Sequence, residues 1–177
     1  MPAKKTVFRS LRLTEELDAA IQKEALARGL PVNSLVSQVL TKYEEWDRHA
    51  EKFGFVMITR DGFRSLIEAI PDERLARVGQ ELGGTNPREM TLFWFKKLGA
   101  PQFLRYLALY CRYGRIGEFE VETDDRTYTI TIHHELGPKY SSYLADFFSN
   151  AVRSVVGVSA VVERSRNAIV LRFTASG

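Results

Sequence analysis

"KTVFRSLRLTEELDAAIQ", residues 5–22, changes its period halfway along. From Val7 to Leu13 apolar and polar residues alternate, as they do along a half-buried strand. From Thr14 onward Leu17, Ile21 and Ala25 recur at helical spacing. Thr14 is placed to cap that helix, and Glu15 and Glu16 suit its positive end. A strand needs a ladder partner for its backbone groups. No hairpin turn and no second strand lie within reach, so the expected partner is the same strand of a second copy.

Working outward, the first helix is expected over about Glu15 to Arg28, with Gly29 as its left-handed stop. A second begins near Val32 and continues to about Phe53. Its apolar stripe is Leu35/Val36, Val39/Leu40, Tyr43 and Trp46. Neither helix has enough apolar surface to hold a fold of about 50 residues as a monomer. Two copies would supply each other's strand ladder and bury both stripes beneath it.

With these elements in place, residues 6–46 resemble the ribbon-helix-helix group of DNA-binding proteins, the Arc/MetJ/CopG family. The resemblance is carried by the junction "LRLTEEL", the Gly29 turn, and "VNSLVSQVL" at the start of the second helix. It implies an N-terminal β-α-α module that forms an intertwined dimer, with the shared ribbon in the major groove of double-stranded DNA. Alternation puts Leu11 and Leu13 toward the helices, so Phe8, Ser10 and Arg12 face outward as base contacts. Arg12 suits bidentate recognition of guanine. The family also clamps a phosphate on the amides that open the second helix, here Val32, Asn33 and Ser34. Pro31 departs from the family pattern, standing where a capping serine is expected. Lys4, Lys5 and Arg9 complete the expected phosphate contacts. With Arg12 they precede the first acid, Glu15, so positive charge collects on the expected strand although the whole chain is only +3.

Gly54 should end the second helix, giving a DNA-binding and dimerisation module over 1–53 and a second domain over 54–177. In the latter "FVMIT" (55–59) reads as a short strand. Helices follow over about 61–69, 72–82, 88–98 and 101–113, the second of them stopped by "GGTNP". The period then falls to two. "EFEVET" and "TYTITIHH" flank a turn at Asp124–Arg126, a helix spans about Lys139 to Val156, and "VSAVVER" and "AIVLRF" close the chain. The expected class is α+β, with an antiparallel sheet covered by helices and a sensing or assembling role.

Several residues of this domain are candidates for chemistry. His133 and His134 are adjacent on a strand and point to opposite faces, so a shared metal ion is not expected. "HELGPKYSSYLADFF" resembles a tract of uncharacterised archaeal proteins, and it offers His134 and Lys139 as ligand residues. The aromatic cluster Phe93, Trp94, Phe95, Phe103, Tyr106, Tyr110 and Tyr113 reads mainly as core. Trp94, Tyr106 and Tyr110 are its candidates for a pocket wall. Cys111, beside Arg112 and Arg115, would sense redox state only if exposed and acidified.

Composition sets the remaining bounds. Apolar residues make up 45% and charged residues 27%, a globular balance. No apolar run is long enough to span a membrane, the start has no secretory pattern, and the single cysteine excludes an internal disulfide. Catalytic motifs are absent, from G-x-S-x-G to the phosphate-binding loops. The expectation is a cytoplasmic, non-enzymatic transcriptional repressor without cofactor or metal. It would be a homodimer, or a tetramer if the second domains pair, and open to a small-molecule effector. Alternatives are an antitoxin and a plasmid-partition or architectural DNA-binding protein.

Overall fold

The structure is a computed structural model and describes residues 7–176. Its contacts divide the chain into two compact units, Met1–Gly54 and Phe55–Gly177.

Unit 1 contains α1 (Glu15–Ala27) and α2 (Val32–Lys42), the latter continued by a π-helical turn at Tyr43–Asp47 and by α3 (Arg48–Ala50). Thr14 caps α1, its hydroxyl accepting from the Leu17 amide at 3.3 Å. Gly29 takes a positive φ of 64°, which ends α1 and lets Leu30 donate back to the Ala25 carbonyl at 2.9 Å. The wider π turn alters the phase of the second stripe. Trp46 becomes buried while Tyr43, expected on the same face, is exposed.

The expected N-terminal β-α-α module is corrected here. Residues 7–14 form no strand, and every strand of the described residues lies between Glu118 and Thr174. Alternation expresses only a preference, and a ladder must turn it into a strand. Among the described residues nothing hydrogen-bonds to residues 7–13 as a strand partner would.

Unit 2 is α+β. It contains α4 (Arg60–Ala69), α5 (Asp72–Phe95), α6 (Ala100–Gly114), β1 (Glu118–Asp124), β2 (Thr127–His133), α7 (Pro138–Val156), β3 (Val161–Arg164) and β4 (Ala168–Thr174). The sheet is antiparallel throughout, in the order β1-β2-β4-β3. Ile130 and Ile132 of β2 pair in register with Leu171 and Ile169 of β4, and all four are buried. With Phe173, they form the inner face on which the helices pack. The opposite face of β1 carries Glu118, Glu120, Glu122 and Asp124, all exposed. The two tight connections are as expected: Asp125 at φ 51° in the hairpin, and Ser165–Asn167 between β3 and β4.

Two expectations in unit 2 are also corrected. "FVMIT" is not a strand; Val56, Met57 and Ile58 are exposed and have no ladder. "GGTNP" does not stop a helix, because α5 runs through it for 24 residues. Gly79, Gly83 and Pro87, four apart, form a buried narrow stripe on α5 that lets the backbone of α7 approach closely. Pro87 lacks the amide that would bond to the Gly83 carbonyl. The Ser154 hydroxyl of α7 donates to that carbonyl at 3.4 Å, and Arg88 Nη1 donates to the Ser154 carbonyl at 3.0 Å. Tertiary packing thus overrides the local stop signal.

Candidate functional site

In unit 1 the residues expected to contact DNA lie on an open surface. Phe8, Arg9, Ser10 and Arg12 are all exposed, Phe8 at 88%. The described hydrogen bond of this stretch runs from Arg9 Nη1 to the Phe8 carbonyl at 3.3 Å. Lys4 and Lys5 lie outside the described residues. At the start of α2, Pro31 provides no side-chain cap. The Ser34 amide donates to the Pro31 carbonyl at 2.9 Å, so Val32 and Asn33 hold the first-turn amides left without an intrahelical carbonyl. An anion would be favoured there by the same N-terminal end of the helix.

Apolar side chains surround these residues in the sequence and are largely uncovered. Among the described residues unit 1 buries Ala25, Leu35 and Trp46. Val7, Leu11, Leu13, Leu17, Val39, Leu40 and Tyr43 remain exposed. Scattered exposed apolar residues are ordinary on a protein surface; among the described residues of unit 1 they outnumber the buried ones.

In unit 2 His134 and Lys139 both serve as ties. His134 is buried and both ring nitrogens are engaged. Nδ1 accepts from the Leu136 amide at 3.2 Å, so Nε2 carries the proton and donates to Ser141 Oγ at 2.9 Å. The Ser141 hydroxyl in turn donates to the Arg166 carbonyl at 3.2 Å. This polarity is the reverse of an activated serine, in which the hydroxyl gives its proton to the imidazole. Lys139 Nζ donates to the Glu68 carbonyl at 2.9 Å and pairs with Asp72 at 3.3 Å, holding α7 to the α4–α5 turn. Arg60 pairs with Glu135, and Arg64 donates to the Glu135 carbonyl at 2.6 Å, securing the same loop to α4.

Burial, and then His133, hold the His134 imidazole below its ordinary proton affinity. The unfolded chain therefore binds that proton more tightly than the native one. Its contribution to stability is complete above about pH 6.5 and is lost as pH falls through the lowered native value. Between about pH 7.5 and about pH 5.5, wild type should lose more stability than His134→Gln in denaturant titrations. Equal losses in the two proteins would refute this assignment.

Tyr106 is fully buried, stacked on Tyr110 at 5.4 Å and on Phe103 at 6.3 Å; Trp94 is half-buried beside Phe95 at 6.4 Å. Burial pushes the hydroxyls of Tyr106 and Tyr110 up, so both stay neutral. Cys111 is likewise buried and its thiol is pushed up to about 12. An acidified redox thiol is the opposite case.

A groove of about 570 Å³ opens elsewhere in unit 2, and none of the candidate ligand residues lines it. It brings together Arg60, Arg112 and Arg115 with Cys111 and the start of β1. The one signal in the sequence was the spacing of Arg112 and Arg115 beside Cys111. Arg60 lies about fifty residues away and joins them only through folding. Among the described residues no helix is long and apolar enough to cross a membrane. No protein-family model, curated protein or solved structure matches this chain.

Proposed function

We propose that the protein is a sequence-specific DNA-binding transcriptional regulator, acting as a homodimer and repressing by occupying its site. The observation that carries this reading is the set of exposed apolar residues in unit 1, contiguous in sequence with Arg9 and Arg12. Pairing two copies through those residues would complete a core that one copy lacks. It would also place two sets of Phe8, Ser10 and Arg12 about a two-fold axis, which matches a palindromic operator. Arg12 would read guanine, and Arg9 with the Val32 and Asn33 amides would hold phosphates. Unit 2 senses an effector or joins dimers.

The test is enrichment of genomic fragments by wild type and by Arg12→Ala at two salt concentrations. Wild type should select a two-fold symmetric site, with affinity falling steeply as salt rises. Arg12→Ala should lose discrimination by about 1–3 kcal/mol, roughly fivefold to over a hundredfold. Since Arg12 is exposed, its removal should leave the fold unchanged. Equal, sequence-independent binding by both proteins would reject the reading.

A further inference from the structure

The arginine-lined groove of unit 2 stands independently of how unit 1 treats DNA. Arg112 lies in the last turn of α6 and Arg115 just beyond it, and both are exposed. Arg60, at the start of α4, is already paired with Glu135. Ala108, Cys111 and Phe119 add an apolar lining. The wall at the start of β1 is held firmly, because Gly117 passes so close to β2 that a Cβ there would sit 2.2 Å from the His133 carbonyl oxygen.

Charge narrows the ligand. Three arginines and one carboxylate residue, Glu118, line the groove, and Arg60 is paired with Glu135, which leaves one positive charge in excess. The volume, about 570 Å³, lies within the range of about 300–1,000 Å³ usual for small-molecule sites. Planar guanidinium forks favour carboxylate or phosphate oxygens. The neutral thiol of Cys111 brings no opposing charge.

We infer that this groove binds an amphiphilic anion. Its carboxylate or phosphate head lies against Arg112 and Arg115, and its apolar body lies against Ala108, Cys111 and Phe119. The competing role for the two arginines is to offset the negative C-terminal end of α6. That role involves stability and no ligand.

The test is a titration of the isotope-labelled full chain, following the Gly114 and Gly117 amides by NMR. The probes are octanoate, octyl phosphate, octylamine and inorganic phosphate. Saturable shifts with octanoate or octyl phosphate, absent with octylamine, are expected, and the stronger of the two identifies the head group. Arg112→Gln/Arg115→Gln should weaken that binding by at least about tenfold. Should the pair destabilise the fold, Arg112→Lys keeps the charge at the helix end, and loss of the fork alone should still weaken binding measurably. The inference is overturned by no shift with either anionic amphiphile, by equal binding of octylamine or inorganic phosphate, or by undiminished binding in the variants.

Discussion

Gly83→Ala should destabilise unit 2 by about 3 kcal/mol or more, although alanine is the better helix former. A Cβ at position 83 would stand 2.1 Å from the Phe147 carbonyl oxygen and 2.7 Å from that residue's carbonyl carbon and Cα. These are backbone atoms of α7, so no side-chain rotation relieves the clash. The two helices must separate, and the separation also stretches the hydrogen bond from Ser154 to the Gly83 carbonyl. Gly84 is the internal control, since nothing lies within 4 Å of a Cβ there. Gly84→Ala should stabilise by up to about 1 kcal/mol, the ordinary helical gain. Thermal melts of both variants give the comparison. A loss of roughly 6–12 °C is expected at Gly83, and a small gain at Gly84. Similar behaviour at the two positions would mean that α5 and α7 do not approach this closely.

Phe103→Ala should cost about 3–5 kcal/mol. Phe103 has no exposed surface and joins α6 to the sheet, its ring edge-on to Phe173 of β4 at 6.0 Å and stacked with Tyr106 at 6.3 Å. Phe173 in turn stacks on Tyr128 of β2 at 5.3 Å. Truncation therefore leaves a cavity and removes ring contacts that add to area burial. Phe103→Leu, which fills much of the same volume, should cost clearly less. Denaturant unfolding at constant m-value measures both. A tolerated alanine would show that Phe103 lines open space and does not form core.

The two outcomes concern the same aspect of the chain from opposite directions. Of the aromatic cluster expected mainly as core, Phe103 and Tyr106 are buried, whereas Phe93, Trp94, Phe95, Tyr110 and Tyr113 are half-buried. The glycine pair was misread as a stop. Gly-Gly and Pro punctuate helices on average, and only the neighbouring helix shows that the absent side chain is what α7 requires.

Much of unit 2 could be read from residues 118–174 alone. Alternation in "TYTITIHH" and "AIVLRF", turn residues at 124–126 and 165–167, and the apolar stripe of α7 are local signals, and each named its element. The first helix of unit 1 was legible for the same reason, with Thr14 as cap and Gly29 as stop. Strand formation at Val7–Leu13 was not determined locally, because a ladder is a property of two strands and residue alternation specifies one. Tertiary structure alone decided three further features. It continued α5 through Pro87 by giving Ser154 to the Gly83 carbonyl. It turned His134 and Lys139 into ties by supplying Ser141, Glu68 and Asp72 as partners. It also brought Arg60 to Arg112 and Arg115, which sequence distance conceals. Periodicity and capping act within a few residues along the chain, whereas close backbone approach, hydrogen-bond partners and converging charges depend on which elements pack together.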